Sequence, residues 1–573
     1  MTEQQGTRLT PVGKILSFLL ILALIGIGGY VVYQRMNPPT PQNSANAGPH
    51  TESMDPRNAE PITTVKQYTY VAGDRLPAVK GASAYQWDNT KKTLRFSYNV
   101  WSGWLPVIAA NHGTKANDES IFYKKYGFRV EMVLMDSPVQ ARDAFIAGDV
   151  HTLWGTADMM VLFAGGLARD SRTAARIVQQ IDWSNGGDGI VVRNRIKNVA
   201  DLRGKTIVLA KNSPSEYYLT SLLLSAGLKP TDIKAKYTDT AFEAAAAFVA
   251  DKSVDGCVSW SPDIYKIPEA DKTVRILSST SDANKLIADV YAVRADFARD
   301  HPEIVEGLVA GIFEGMDMVK ASPAEPCKWM ADAFGMKPED VMGMRNDAHP
   351  TNFAENTQFF LNASNPTNFE RTWKNAVYVY RELGTIEPKD IVPFDQVMDF
   401  SVVQKLEKAG QFKEQKDESV ATFTPGAVRT MTAEKILTQT IRINFYPNSA
   451  NPYEPGRDMD GLVIAGKLYD PNVDATLERV ARLVGQFGRA NVLIEGHADS
   501  SMKGKAPVAA VKELSQQRAE AIKRALVEKY KFDPNKFTVE GKGWDVPANP
   551  EEPLNQALNR RVEISVYPPE QGN

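Results

Sequence analysis

Short apolar runs alternate with amphipathic helical segments between residue 93 and about residue 300. Runs such as "LRFSYNV", "DGIVVR", "KTIVLA" and "IADVYAVR" have the length and β-branched content of buried strands. Segments such as "VQARDAFIAGDV" and "YYLTSLLLSAG" lie between such runs and are typical of helices. This repetition predicts parallel or mixed sheets covered by helices on both faces, followed by a helical region from Pro302 to about Lys408.

A second, smaller pattern follows a polar segment, "QFKEQKDESVATFTPGAVRTMT", which we interpret as a linker over residues 411–435. Beyond it, "TQTIRINFYP", "NVLIEG", "FTVEGKG" and "RRVEISVYP" are predicted strands. The segment "TLERVARLVGQF" places its apolar residues on one helical face, and a further helix is predicted over 511–530. Residues 436–573 are therefore predicted to form a compact α+β domain.

The N-terminal pattern is that of a membrane anchor. Ile15 to Tyr33 contains no charged residue, and at about 1.5 Å per residue it nearly spans a bilayer core of about 30 Å. Arg8 and Lys14 precede it, which predicts a cytoplasmic N-terminus (1–14), a transmembrane anchor (15–34) and an exported remainder joined by a linker (35–90). A cleaved signal peptide is the alternative, although its apolar core would be unusually long.

Composition narrows the function classes. The chain has 573 residues, 43% hydrophobic and 24% charged, with a net charge of −3, which gives no reason to expect nucleic acid as a partner. Its two cysteines, Cys257 and Cys327, are far apart and are expected to be buried free thiols. The six histidines show no ligand spacing, so we expect no metal site and no cofactor.

Candidate ligand-binding residues lie where the predicted strands end, because ligands of open α/β sheets bind at that edge. Tryptophans are prominent there, and in a cleft they stack on flat rings or cations. The candidate solute-binding residues are Trp101, Ser102, Trp104, Asp136, Thr156, Asp158, Trp183, Asp188, Ser213, Ser215 and Trp260. Any one of the tryptophans could instead fill the core.

The region 91–410 resembles the periplasmic solute-binding proteins of the nitrate/sulfonate/taurine and thiamine-precursor type. The ordered segments that carry this resemblance include "AFIAGDVHTLWGTADMM", "WSNGGDGIVVR" and "IKNVADLRGKTIVLAKNSPSEYYLTSLLLSAGL". The resemblance implies two α/β lobes that close on a small solute by hinge motion. Lobe one would comprise 93–185 and 290–400, and lobe two 187–288.

The nature of the solute is left open by the sequence. In "LAKNSPSEYYL" the resemblance implies a loop that receives an anionic group, while Ser213 and Glu216 also fit a helix-capping box. Asp136, Asp158 and Asp188 oppose a purely anionic ligand. We therefore expect a cationic, heteroaromatic or zwitterionic solute. Because no known catalytic motif occurs, we expect a binding protein and not an enzyme.

The C-terminal domain resembles the OmpA-like peptidoglycan-binding domains through "IEGHAD", "LSQQRAEAI", "VEGKGWDVP" and "NRRVEISV". The resemblance implies that Asp499 and Arg518 bind diaminopimelate of the peptidoglycan stem peptide. A carboxylate can hold the ammonium group and a guanidinium the carboxylate of this zwitterion. The chain departs from the family pattern at Ala498, Val511 and Gln556 and in a longer loop after Asp499, so retained wall binding is open.

Together these features predict a single-pass inner-membrane protein of a Gram-negative type envelope, with the bulk of the chain in the periplasm. It would bind a small solute for ABC-type uptake, with permease subunits as partners, or for sensing, and it would be tethered to peptidoglycan. The alternative is an envelope scaffold whose two-lobed domain binds nothing. A stator-like subunit is disfavoured, since the anchor lacks an acidic residue.

Overall fold

The computed structural model describes residues 62–73, 76–421, 423 and 436–568. The chain divides into two units, Met1–Glu60 and Pro61–Asn573, and the described residues lie in the second. The predicted transmembrane segment 15–34 lies outside the described residues. Within the part that is described, no helix is both long enough and apolar enough to cross a membrane.

The first lobe contains a six-stranded mixed sheet. Across the sheet, its strands are Ala348–Pro350, Ala175–Ser184, Ala288–Arg294, Thr152–Thr156, Thr93–Tyr98 and Arg129–Leu134. Ala288–Arg294 runs antiparallel to both of its neighbours, whereas Thr93–Tyr98 is parallel to Arg129–Leu134. The central strands are almost wholly buried because helices cover both faces, as their continuous apolar runs predict.

The second lobe contains a five-stranded mixed sheet. Its strands, in order, are Lys234–Thr238, Thr206–Ala210, Gly256–Trp260, Asp188–Arg193 and Val274–Ser279. Asp188–Arg193 is antiparallel to Gly256–Trp260, and this register sets Asp188 opposite Trp260. The chain passes between the sheets at residues 185–187 and 280–287.

Helices surround the two sheets, and several begin with a side-chain cap. Thr156 accepts the backbone N–H of Met159 at the start of one helix, and Thr240 forms a capping box with Glu243 at the start of another. The helices of the first lobe are Leu105–Asn111, Ile121–Tyr126, Pro138–Ala147, Ala157–Leu167, Ala295–Asp300, Pro302–Ala321, Ala324–Phe334, Pro338–Met344, Phe353–Leu361, Phe369–Leu383 and Ser401–Ala409. Those of the second lobe are Pro214–Ser225, Ala241–Ala250 and Asp263–Ala270.

The two lobes are closed upon each other. Ser137 of the first lobe donates to Asp239 of the second at 3.3 Å, and Ser261 of the second donates to Asp347 at 2.5 Å. On another side, the Asn375 amide donates to the Tyr217 hydroxyl at 2.8 Å. These contacts enclose the carboxyl-terminal ends of several strands between the lobes.

The C-terminal domain has its own sheet and core. Its strands, in order, are Leu437–Ile441, Val562–Tyr567, Asn491–His497 and Phe537–Gly543. Helices Val473–Gln486 and Val508–Tyr530 pack on this sheet, and smaller elements are the hairpin Pro455–Arg457/Val463–Leu468 and the helix Gln556–Asn559. The predicted α/β class with mixed sheets and a C-terminal α+β domain is confirmed.

Candidate functional site: an acidic cleft and a C-terminal pocket

Four aspartates lie together in the cleft between the lobes, and we call Asp158, Asp182, Asp188 and Asp289 the acidic cluster. Asp182 and Asp289 face each other across paired strands, Asp188 begins a strand of the second lobe, and Asp158 begins a helix. None is more than 7% exposed. Burying four carboxylates without paired cations is unfavourable unless they keep protons or meet a positive ligand.

The surroundings raise the pKa of each of these acids. Burial raises the pKa of Asp158 to about 6, although hydrogen bonds from Thr156 and Tyr380 lower it. Burial also raises the pKa of Asp182 and of Asp188 to about 7. The pKa of Asp289 lies well above its usual range because it is buried and faces the charges of the other three. The cluster therefore holds protons that a cation could displace near neutral pH.

Two glycines allow a tryptophan to reach the cluster. The indole N–H of Trp101 donates to Asp182 at 3.2 Å. A Cβ on Gly103 would lie 1.8 Å from Asp182 Oδ2, and one on Gly187 would lie 2.2 Å from Trp101 Cη2. Because only glycine fits at these two positions, the backbone approaches the Trp101–Asp182 contact closely.

Several buried polar groups around the cleft lack a hydrogen-bond partner among the described residues. They are Ser102 Oγ, Asp188 Oδ1, Ser215 Oγ and Trp260 Nε1. All four residues are at most 4% exposed. Unpaired buried polar atoms are unfavourable, so a group of them around one cleft indicates a polar ligand.

The loop before helix Pro214–Ser225 has no spare positive charge. Ser213 accepts the N–H of Ser215 at 3.2 Å and donates to the Ala210 carbonyl at 3.0 Å. Lys211 pairs with Glu216 at 2.6 Å, and Glu216 also accepts the N–H of Asn212. Ser213 thus caps the helix, but the predicted capping box with Glu216 is not formed, because Glu216 accepts from Asn212 and pairs with Lys211.

The other predicted solute-binding residues have partners within the first lobe. Trp104 is fully buried and donates to Asn99 at 2.7 Å. Asp136 accepts the N–H of Val100, and Thr156 caps a helix. Trp183 packs edge-on against Phe359. Thr156 also hydrogen-bonds to Asp158 and so joins Trp101, Ser102, Asp158, Asp188, Ser215 and Trp260 around the cleft, whereas Trp104, Asp136 and Trp183 support the first lobe.

Sequence reasoning missed Asp182, Asp289 and Tyr380. Asp289 is the second residue of an antiparallel strand, so it is not among the residues at strand carboxyl ends. Asp182 lies one residue before the predicted Trp183, within "IDWSNGGD". Tyr380 donates to Asp158 at 2.8 Å from a helix more than two hundred residues away, which no local pattern reveals.

The C-terminal site brings Asp499 and Arg518 close enough for their charges to interact. Asp499 is 4% exposed, caps the turn Ser500–Met502 through the N–H of Ser501 at 2.8 Å, and pairs with Arg560. Arg518 donates to the Ser449 carbonyl at 3.0 Å and lies over the Phe445 ring. Both groups are therefore held in place by their own domain.

At the C-terminal site, a cavity lined by arginines lies near the carboxylate of Asp499, which pairs with one of them. Burial and the neighbouring charge of Arg560 lower the pKa of Arg518 to about 10. Burial works to raise the pKa of Asp499, but hydrogen bonds from Ser501 and Arg560 bring it below its ordinary value. A cavity of about 320 Å³ lies beside Arg518, Arg560 and Arg561. A ligand carboxylate would meet a charged, partly desolvated guanidinium there.

Two family models match the chain. "NMT1/THI5 like" matches residues 117–326, and "OmpA family" matches residues 466–561. The taurine-binding periplasmic protein of Escherichia coli K12 is 24% identical over 236 residues, which is 40% of this chain and 71% of the relative. Outer membrane protein Omp38 of Acinetobacter baumannii ATCC 17978 is 33% identical over 87 residues, 15% of this chain and 23% of the relative.

A similar solved structure is the alkanesulfonate-binding protein from Xanthomonas axonopodis pv. citri bound to MOPS. The two structures superpose with a TM-score of 0.43 at 17% sequence identity, and the match covers 56% of this chain and 100% of the other chain. The two resemblances predicted from the sequence are confirmed by the family matches. The chain carries an NMT1/THI5-like domain, followed by a C-terminal domain of the OmpA family.

Proposed function

We propose that the cleft between the lobes binds a small solute bearing an ammonium group. The acidic cluster is the observation that carries this proposal, because four buried carboxylates favour a cation and repel an anion. The unpartnered groups of Ser102, Ser215 and Trp260 would bind its polar atoms, and Trp101 would pack on its apolar part. A zwitterion such as taurine is compatible, since its ammonium group can face the cluster.

We further propose that the C-terminal domain holds the protein to peptidoglycan through Asp499 and Arg518. With residues 15–34 as an inner-membrane anchor, the cleft would stand at a fixed place in the periplasm. Such a tethered protein suits solute sensing, or uptake with permease subunits that reach it there. The family match of the C-terminal domain and the charge interaction between Asp499 and Arg518 support this proposal.

Taurine and two compounds that each differ from it by one group test the solute class. Taurine carries an ammonium and a sulfonate, ethanolamine an ammonium and a hydroxyl, and isethionate a sulfonate and a hydroxyl. On the full chain, taurine and ethanolamine should raise the unfolding temperature by mass action, and isethionate should not. Asp188→Asn should weaken this response, whereas the exposed Asp395→Asn should leave it unchanged.

The opposite result would refute the ammonium proposal. Stabilisation by isethionate that equals stabilisation by taurine would show that the sulfonate is the group recognised. No response to any amine or sulfonate in a wide set would instead favour the scaffold alternative.

Cosedimentation with purified peptidoglycan tests the C-terminal proposal. Asp499→Ala and Arg518→Ala should each reduce the bound fraction severalfold, because each removes one charge partner of the zwitterion. Arg524→Ala is the matched control, since Arg524 is exposed on the same helix as Arg518. Equal retention of all four proteins would exclude this site.

A further inference from the structure

The C-terminal domain is docked on the first lobe through its helix Val473–Gln486. Arg371 of the lobe pairs with Glu478 at 2.6 Å, and its guanidinium lies 5.5 Å from the centre of the Tyr530 ring. Tyr530 in turn donates to Glu478 at 2.7 Å. An ion pair, a hydrogen bond and a cation–π contact thus share one partly buried place.

The same helix also approaches the lobe through glycine. A Cβ on Gly485 would lie 3.0 Å from Thr367 Cγ2 and 3.1 Å from Pro366, which is tighter than ordinary packing. The absence of a side chain there lets the helix lie against the loop before Phe369–Leu383. Leu483 and Phe487, on this side of the domain, are at most 4% exposed and belong to the hydrophobic core of the lobes.

The domain also contacts one of the two segments that join the lobes. The N–H of Lys285 donates to the carbonyl of Gln486 at 3.0 Å. Next to it, a Cβ on Gly488 would lie 3.0 Å from Asn284 Oδ1. Residues 280–287 are where the chain must bend when the lobes rotate.

The second lobe is contacted as well. A small cavity of about 170 Å³ has walls from all three bodies. The walls are Ser221, Leu224 and Ser225 from the second lobe, Asn375, Tyr378 and Val379 from the first, and Gln439, Arg479, Arg482, Leu483 and Gln486 from the C-terminal domain. Asn375 and Tyr217 join the two lobes beside this cavity.

We infer that the docked C-terminal domain is a brace that holds the two lobes closed. It contacts both lobes and a joining segment at once, so it cannot keep all of these contacts when the lobes rotate apart. Docking therefore favours the closed state, and opening weakens docking by the same free energy. Release of the domain, for example when its wall attachment moves away from the lobes, would let the cleft open.

Spin labels on the full chain test this inference. Gln140→Cys and Lys252→Cys are exposed positions on the first and second lobes, and the native Cys257 and Cys327 are buried. A second pair, Gln140→Cys and Arg524→Cys, reports docking of the C-terminal domain. Gly485→Glu should disrupt docking, since a large side chain has no room there while a helix interior accepts glutamate well.

The expected result is that Gly485→Glu lengthens both distances, whereas Gly343→Glu lengthens neither. Gly343 is the matched control, because it is a helical glycine with open space around it. A second variant, Glu478→Arg, should also lengthen both distances, and adding Arg371→Glu should shorten them again.

Two outcomes would overturn the inference. In one, the C-terminal domain separates in Gly485→Glu while the distance between the lobes stays as in the wild type. In the other, neither Gly485→Glu nor Glu478→Arg changes either distance, which would mean that these contacts do not hold the domain in place. Circular dichroism of each variant confirms that the domains remain folded.

Discussion

At the scale of single residues, burial makes the four carboxylates of the acidic cluster unfavourable on their own and fits the binding role that we propose for them. Each of its four carboxylates is buried, and the side chains that donate hydrogen bonds to them within the described part of the chain are neutral, such as the Trp101 indole, the Ser184 hydroxyl and the Tyr380 hydroxyl. Neutral donors stabilise a carboxylate less than a cation does. The cluster is therefore better suited to a positive ligand than to the unliganded state.

The pH dependence of stability follows from these raised pKa values. Asp188 has a pKa of about 7 when folded, above its ordinary value of about 3.9 when unfolded, so the folded state binds more protons between these values. Its contribution to stability is present below about pH 4 and is lost as the pH rises through 7. Without ligand, Asp188→Asn should reduce the decrease in unfolding free energy with rising pH. For one group this decrease is at most about 1.4 kcal/mol per pH unit.

Urea unfolding between pH 5 and 8 measures this effect. Asp395→Asn, at an exposed site, should keep the wild-type slope of unfolding free energy against pH. An unchanged slope in Asp188→Asn would show that the Asp188 carboxyl is ionised throughout this range.

The glycines beside Trp101 give a second prediction at this scale. Gly103→Ala would place a methyl group 1.8 Å from Asp182 Oδ2, so either the Trp101–Asp182 contact or the local backbone must shift. We expect a loss of about 1–3 kcal/mol of stability and a changed tryptophan fluorescence. Gly343→Ala, which adds a methyl group in open space, should change neither quantity, and the same null result in Gly103→Ala would contradict the geometry.

At the scale of elements, one helix links the cleft, the second lobe and the C-terminal domain. Phe369–Leu383 supplies Tyr380 to Asp158, Asn375 to Tyr217 and Arg371 to Glu478. Because these residues lie along one rigid element, a shift of the C-terminal domain would be transmitted to the cleft.

Arg371→Ala tests this link at the end of the helix that contacts the C-terminal domain. It removes the ion pair with Glu478, which is partly buried and should contribute roughly 1 kcal/mol to docking. We expect easier proteolysis of the segment around residues 411–435 and weaker solute binding, because Arg371 lies on the same helix as Tyr380, which donates to Asp158. Arg381→Ala, at the end of the same helix, is the control, and equal behaviour of the two variants would exclude the link.

Individual strands and helices show how much of the structure could be predicted from the sequence. Apolar runs such as "KTIVLA" correctly predicted strands, because their residues are buried on both faces of a sheet. The hydrophobic periodicity of a segment does not show in which direction its strand runs. The sequence therefore does not predict that Ala288–Arg294 is antiparallel, nor that Asp289 near its start lies at the cleft. Likewise, the family pattern predicted Asp499 and Arg518 as site residues. It did not predict the ion pair between Arg560 and Asp499, because that pair depends on how two distant segments meet in space.

At the scale of the whole molecule, we propose that one chain combines a solute cleft, a brace and a wall attachment. The cleft would recognise an ammonium group through carboxylates that hold protons near neutral pH. A bound ammonium group would favour the ionised carboxylates and so displace protons into solution, whereas recognition of a sulfonate alone would not.

Titration calorimetry with taurine at pH 6.5, in buffers of different ionisation enthalpy, counts the protons exchanged on binding. The account predicts that binding releases protons from the protein and that Asp188→Asn releases fewer. Tight binding with no proton release, or with proton uptake, would contradict it.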